Sequence, residues 1–403
     1  LSAFLMLVLA LLPGIPMIPF VGLSLVIGGL AFFLYQKEIN KERQEETLLL
    51  EANQSDIEEE PLSSALQIDQ VRLELGYGLL PLVSETDENY RLTDQIKSLR
   101  RQIASESGFI MPQVRIQDNL QLPPNSYVVR IKEIEVGSSD IRPNRLLVMD
   151  ASGDTIDLPG TETIEPTFGL PAMWVDPDNR EEATFKGYTV VDPATVITTH
   201  LTELIRDNMS ELLSYVETQN LLDELPNEHQ KLIAEVVPNQ ISVGGIQRVL
   251  QNLLNERVSI RDLPTILEGI SEACAFTRNV TQLTEHVRSR LSRQISEQNS
   301  TEDNFIPLVT LSAEWEQIFS DSILDQGEDK QLSMAPSQLQ RFIGAVRTTL
   351  DELADIEDPP VVLTSPLARP FVRSIIERFR PATSIMSQNE LHPKAKIKTL
   401  GQI

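Results

Sequence analysis

Cysteine and histidine are both scarce in this sequence. Cys274 is the single cysteine among the 403 residues, so no disulfide bond can form within the chain. This cysteine usage fits a reducing compartment such as the cytoplasm. The histidines lack the short spacing of local metal ligands; they are His200, His229, His286 and His392. We therefore expect neither a disulfide framework nor a metal site.

The glycine motifs that bind phosphates and dinucleotides are also missing. No glycine-rich loop ends in lysine, and the Gly76-Tyr77-Gly78 segment has too few glycines for a dinucleotide fingerprint. Adjacent carboxylates such as Glu181 and Glu182 fall on predicted surface segments, where charged side chains are usually solvated. We expect no cofactor and no catalytic residue, and we predict that the protein is not an enzyme.

Basic residues are too few to balance the acidic ones. The chain has 34 lysines and arginines against 59 aspartates and glutamates, which gives a formal net charge of −25. A surface with this charge repels phosphate backbones. Nucleic acid is therefore not an expected partner.

Long apolar runs are confined to residues 1–36. The second run, at 18–36, is close to the roughly 20 residues that span a bilayer. The first run starts without methionine inside an apolar segment, so we expect it to be the end of another transmembrane helix. A cleaved signal peptide is the alternative, although no charged segment precedes the run. Lys37, Lys41 and Arg43 follow the second helix and place the rest of the chain in the cytoplasm by the positive-inside rule.

Residues 37–70 are predicted to form an acidic linker. The segment carries clusters of glutamate and no aromatic residue. Leu48, Leu49 and Leu50 form its one apolar cluster, which we expect to contact a neighbouring subunit. A solvated tether without that contact is the alternative.

The remaining chain predicts an α+β multidomain protein. Residues 127–136 alternate as a half-buried strand does, and Asp192 followed by Pro193 is typical of the start of a helix. Helical periodicity then dominates until strand-like runs return after residue 306. The predicted subdomains are an α+β part at 71–150 completed by 187–217, an insertion at 151–186, a helical part at 218–300 and an α/β part at 301–403.

Several blocks of sequence carry a family resemblance. Residues 73–83 have the sequence LELGYGLLPLV, and residues 165–174 have the sequence EPTFGLPAMW. Further blocks follow in order at 187–192, 196–201, 249–254 and 258–263. In content and order, these blocks resemble the C-terminal part of the FlhA (FHIPEP) family of type III export-gate proteins.

The resemblance implies a function and a set of partners. It implies the end of a region in the bacterial inner membrane, followed by a four-subdomain cytoplasmic domain that assembles with its copies into a nonameric ring below the export channel. Chaperone–substrate complexes dock on that ring for flagellar export, and the implied partners include other export-gate membrane proteins and the export ATPase complex. The alternatives are a virulence injectisome homologue, a membrane-anchored enzyme and a structural scaffold without a cargo groove. A buried, strongly pKa-shifted carboxylate or histidine in a cleft would favour the enzyme.

The resemblance also implies particular site residues. Chaperone docking is implied for Glu165, Phe168 and Thr199, where glutamate stands at a position we compare with aspartate in the family. The alternative for Phe168 is a place in the core. Arg261 and Asp262 are candidate ring contacts, with an intrachain helix-cap pair as the alternative.

Overall fold

The computed structural model describes residues 68–84, 91–150, 153, 155–326, 329–353 and 358–403. The predicted transmembrane segments at 1–36 lie outside the described residues, and so do Leu48, Leu49 and Leu50 of the predicted linker. Within the described ranges, every helix is too short or too polar to cross a membrane. Residues 69–403 form one compact unit.

The first sheet has four strands, and two helices lie between its first two strands along the chain. The strands pair in the order β2-β1-β3-β4, and only β1 and β2 run parallel. The apolar positions of α2 lie on one face and are buried, as the periodicity of that segment predicts. The elements are β1 Val71–Leu75, α1 Pro81–Ser84, α2 Leu92–Ser107, β2 Val114–Asp118, β3 Ser126–Ile131 and β4 Ile134–Asp140.

The second sheet is antiparallel throughout, with the strand order β6-β7-β5-β8. It begins at Leu146, ahead of the insertion predicted at 151–186, because β5 pairs with β7 and β8. A small apolar core of its own lies on one side of this sheet. The elements are β5 Leu146–Met149, β6 Gly160–Ile164, β7 Pro171–Val175, α3 Arg180–Phe185 and β8 Thr189–Val191.

A long helix, α4 (Pro193–Asp207), leads from the second sheet into a series of helices. The Asp192 side chain accepts a hydrogen bond from the Thr195 N–H, which confirms the predicted helix start. The apolar faces of the helices join the core of the first sheet. They are α5 Met209–Leu212, α6 Tyr215–Asp223, α7 Gln230–Val236, α8 Val243–Asn255, α9 Leu263–Ala273, α10 Val280–Arg290 and α11 Ser292–Gln298.

The last part is an α/β layer around a parallel sheet of order β13-β12-β9-β14. Trp315, Phe319 and Phe342 form the aromatic centre of its core. The elements are β9 Phe305–Thr310, α12 Ala313–Ser322, β10 Ile323–Gln326, β11 Asp329–Leu332, α13 Pro336–Glu352, β12 Val361–Thr364, α14 Arg369–Ile376, β13 Ile385–Ser387 and β14 Lys396–Gln402. The described chain is thus a mixed α+β protein, and its division into four subdomains stays a prediction.

Candidate docking site

A tight hairpin loop joins β6 and β7 and carries two of the predicted site residues. Ile164 pairs with Pro171 at the base of the loop. The Glu165 N–H donates to the Leu170 carbonyl at 2.9 Å, and the Gly169 N–H donates to the Glu165 carbonyl at 3.0 Å. Gly169 has a φ of +71°, a left-handed conformation that glycine adopts without steric cost. These contacts fix the path of the loop.

The Glu165 side chain turns back into the same loop. Its carboxylate accepts a hydrogen bond from the Phe168 N–H, with 2.6 Å between Oε2 and the nitrogen. Glu165 is only 3% exposed, so this carboxylate is buried. A buried carboxylate needs hydrogen-bond donors to offset its desolvation. The Phe168 amide supplies one of them.

Phe168 points away from the protein core. Its side chain is 65% exposed, whereas Trp174 on β7 is 3% exposed and belongs to the main core. An exposed aromatic ring on a hairpin tip is apolar surface available to a partner. The structure therefore contradicts the alternative prediction that Phe168 lies in the core.

Thr199 lies on α4, in a groove between α4 and α2. The groove has a volume of about 440 Å³ and is lined mainly by residues of polar type, with four threonines from α4 along one wall. Across it, Thr198 Oγ1 donates to Gln95 Oε1 at 2.9 Å. Thr199 itself is half-buried and faces the groove.

Phe168 borders a different and larger cleft, of about 800 Å³. Glu203, Arg206 and Asp207 of α4 form one part of its wall, and residues 381–385 form another. Phe168 and Thr199 therefore line separate cavities. Helix α4 borders both cavities and is the element that relates the two residues.

A buried aromatic pair joins β3 to α4. The Tyr127 hydroxyl and His200 Nδ1 are 2.6 Å apart. Burial lowers the pKa of His200, and the negative charge of Glu165 opposes that effect. Burial also raises the pKa of Tyr127, and Glu165 adds to that increase. Glu165 is thus electrostatically coupled to a pair that connects β3 with α4.

Sequence analysis did not identify the pairing of Tyr127 with His200. Tyr127 begins the single strand predicted at 127–136, which in the structure is two strands, β3 and β4, joined by a turn at Lys132 and Glu133. A buried tyrosine hydroxyl usually requires a polar partner. This requirement was the one signal in the sequence that Tyr127 has a polar partner. The partner lies 73 positions further along the chain, which the local pattern does not show.

Arg261 and Asp262 are both exposed and both make contacts within the chain. Asp262 Oδ1 accepts the Thr265 N–H at 3.2 Å and caps α9. Arg261 Nη1 donates to the Ser105 carbonyl at 3.2 Å, at the end of α2. The two residues are therefore placed by intrachain bonds, and their role in a ring stays a prediction.

A largely buried cluster of two arginines and three glutamates connects the helices with the C-terminal part. Arg369 donates to both oxygens of Glu256, at 2.6 and 3.0 Å, and to Glu285 at 2.6 Å. Arg288 donates to both oxygens of Glu390, at 2.7 and 3.1 Å. Sequence reasoning missed this cluster. Its one local signal is that Arg288 falls on the buried face of α10.

The ion pairs determine the charge states in this cluster. Burial opposes ionisation of Glu256, but the Arg369 and Arg288 guanidiniums lower its pKa to about 2. Burial raises the pKa of Glu285, against the effect of Arg369. Both glutamates line a cavity, and their side chains are 13% and 18% exposed, so they do not meet the sequence criterion of a buried, strongly shifted carboxylate in full. Structural ion pairs also shift pKa values, and both carboxylates are engaged by Arg369.

In the part of the chain that the structure describes, no group of three or more histidine, cysteine, aspartate or glutamate side chains could hold a metal ion.

Comparison with known proteins identifies the family of this chain. The model of the FHIPEP family matches residues 1–396. The chain belongs to the FHIPEP family. This membership confirms the resemblance inferred from the sequence blocks.

Similar FHIPEP-family proteins are known from several bacteria. The chain is 51% identical to the flagellar biosynthesis protein FlhA of Caulobacter vibrioides over 396 residues, which are 98% of the chain and 56% of that protein. The chain thus spans about half the length of this relative.

Solved structures share the fold. The Chlamydia pneumoniae CdsV protein has a TM-score of 0.75 at 26% identity, and the match covers 83% of this chain and 98% of that one. The nonameric SctV-C of EPEC has a TM-score of 0.67 at 22% identity, with 83% and 98% covered. The second likeness shows the fold alone.

Proposed function

We propose that this chain is part of a flagellar type III export gate and serves as a docking platform for chaperone–substrate complexes. The family membership and the 51% identity to a flagellar FlhA protein support the flagellar assignment. The solved structures with this fold come from CdsV and SctV proteins, which makes the injectisome homologue the second candidate. Both candidates are export-gate components that do not act as enzymes.

The exposed ring of Phe168 is the observation that supports docking most strongly. Aromatic anchors that fill a pocket on a partner dominate many interfaces, and polar groups at the border exclude water. Phe168 lies at the tip of a fixed hairpin loop, and Thr199 lies on the adjacent helix α4. A chaperone helix would place an apolar side chain against Phe168, while Thr199 supplies a polar contact at the rim.

Assembly and location follow from the same proposal. SctV-C of EPEC is nonameric, and we extend that state to this chain, with Arg261 and Asp262 as candidate contacts between copies. Residues 1–36 would hold the ring at the inner membrane and leave residues 71–403 in the cytoplasm. Leu48, Leu49 and Leu50 would then contact an adjacent subunit.

A genetic replacement experiment tests the function. Deletion of the gene should abolish motility in a flagellar system, or secretion into host cells in an injectisome. Phe168→Ala should reduce export of late flagellar substrates, because it removes the apolar anchor. Phe185→Ala is the matched control, since Phe185 is also a phenylalanine of the second-sheet region and is 93% exposed. Normal export by the Phe168 variant would contradict the docking proposal.

A further inference from the structure

Helix α13 of the C-terminal part contains a glycine that the packing of the chain does not explain. Gly344 lies in the middle of this helix, on its exposed side. A Cβ added there would meet no heavy atom within 4 Å among the residues that the structure describes. Glycine inside a helix is destabilising relative to alanine, because it loses more conformational freedom on folding. The fold itself therefore gains nothing from a glycine at this position.

Other glycines of the chain have a steric reason. A Cβ at Gly245 of α8 would clash with the Ile241 side chain, and a Cβ at Gly76 would clash with the Pro123 carbonyl oxygen. The described chain places no such neighbour against Gly344. The close approach to the backbone that this glycine permits is thus available to another molecule.

The same face of α13 is positively charged. Between Pro336 and Leu350 the helix carries Arg341 and Arg347 and no acidic residue. The two arginines are exposed and lie three positions before and after Gly344, so all three residues share one side of the helix. In a chain with a formal net charge of −25, this face attracts carboxylates.

Aromatic rings hold both guanidiniums in place. Arg341 Cζ lies 4.8 Å from the centre of the Trp315 ring, and Arg347 Cζ lies 5.1 Å from the centre of the Phe379 ring. Side chains that are already ordered lose less entropy when they bind. Arg341 also pairs with Glu314 at 2.6 Å, but both side chains are more than half exposed. An exposed pair of this kind is weak and can exchange its carboxylate for that of a partner.

We propose that the Gly344 face, which consists of Arg341, Gly344 and Arg347, binds an acidic helix of a partner protein. The partner helix packs closely on Gly344, and its carboxylates pair with guanidiniums that start about 9 Å apart along the helix axis. A symmetric contact of this face with a second copy would bring four guanidiniums together and is disfavoured. The face is separate from the Phe168 hairpin, so its role does not rest on the docking proposal.

A designed peptide tests the proposed partner chemistry. The probe is a fluorescein-labelled synthetic helix with glutamates at two positions seven residues apart, and the comparison peptide has glutamines there. Fluorescence anisotropy measures the binding of each peptide to the whole 403-residue chain in nanodiscs of zwitterionic lipid. We expect the glutamate peptide to bind about tenfold more tightly, with a preference that falls as salt is added.

Gly344→Leu blocks the close approach and leaves both arginines in place. Its melting temperature should equal or exceed that of the wild type, because leucine favours helix and its Cβ meets open space. We expect about a tenfold loss of affinity for the glutamate peptide. Gly244→Leu is the matched control, since Gly244 is also helical and an added Cβ has only Ser242 Oγ nearby, at 3.9 Å. This control should bind as the wild type does.

The outcomes separate the acidic partner from the other possibilities. Replacing Arg341 and Arg347 together by glutamine should remove the preference for the glutamate peptide. Wild-type affinity of Gly344→Leu would overturn the proposal, and so would equal binding of the two peptides to the wild-type chain. Changed sedimentation of Gly344→Leu without peptide would make the face a contact between copies and would also overturn it. Phe168→Ala should leave peptide binding unchanged, so failure of the docking proposal is seen separately.

Discussion

Arg369 is 1% exposed and forms ion pairs with residues that lie up to 113 positions away in the sequence. Its guanidinium bonds Glu256 and Glu285 in the helical part, while Arg369 itself begins α14. Removing one partner of a buried pair leaves an uncompensated charge, which costs far more than the loss of an exposed pair. A single side chain thus connects the helical part with the C-terminal part.

Arg369→Met should therefore destabilise the protein strongly. We expect a loss of about 3–5 kcal/mol in the free energy of unfolding, because two largely buried carboxylates lose their main partner. Arg115→Met is the control, since it removes an exposed pair with Asp69, at 3.2 Å, whose contribution is about 1 kcal/mol or less. Equal melting temperatures for the two variants would contradict the account of the cluster.

Because of the charge on Glu256, the free energy of unfolding should depend on pH in the acidic range. Its pKa is about 2 in the folded protein, against an ordinary value of 4.5. Because the folded pKa is the lower one, the stabilising contribution is present above pH 4.5 and is lost as the pH falls towards 2. The difference in melting temperature between the wild type and Glu256→Gln should shrink across this interval. A constant difference from pH 6 to about 2.5 would disagree with that sign.

At the scale of elements, α4 connects the two sheets to the helical part and borders both cavities. Asp192 determines where this helix begins, because its Oδ1 accepts the Thr195 N–H at 2.9 Å and its Oδ2 lies 2.6 Å from Thr195 Oγ1. Eight residues of the helix are buried. A shift in its start would therefore disturb the core and the Thr199 groove together.

Removal of the α4 cap has a predictable cost. Asp192→Ala should lower the free energy of unfolding by about 1 kcal/mol, since the Thr195 amide loses its acceptor. Asp192→Asn keeps an acceptor oxygen and should stay close to the wild type. Chemical denaturation of both variants measures the difference. A stable alanine variant beside a destabilised asparagine variant would rule out the capping role.

Elements were predictable where the signal is local. The start of α4 follows from Asp192 and Pro193, and the helical series follows from apolar periodicity over each segment. The place of β5 in the second sheet does not follow from a local signal. Strand pairing joins residues far apart in sequence, and no local pattern selects the partner. The same reason explains why the Arg369 cluster was missed.

The docking site was predictable only in part. Family resemblance selected Glu165 and Phe168, but an aromatic residue in a short strand segment fits both a core and a recognition role. Exposure of Phe168 and burial of Glu165 depend on the bonds of the hairpin loop, with Gly169 in a left-handed conformation. Those bonds exist only once β6 and β7 have paired.

At the scale of the whole molecule, ring formation should depend on the membrane. Residues 71–403, freed from the membrane, are expected to be monomeric at low concentration and to self-associate weakly through the helical part. Anchoring in a bilayer raises the local concentration and favours the ring. Sedimentation of this fragment measures its oligomeric state. A tight antiparallel dimer at low concentration would be incompatible with a ring of this kind.

The docking role of Phe168 is tested most directly by calorimetric titration of a purified chaperone–substrate complex into the wild-type chain and the Phe168→Ala variant, with melting curves for both. Truncation of a central aromatic anchor costs about 2 kcal/mol or more, roughly a thirtyfold loss of affinity. We predict that loss with an unchanged melting temperature, because the side chain is 65% exposed. Wild-type affinity would contradict the docking function, and a collapsed melting temperature would place Phe168 in the core.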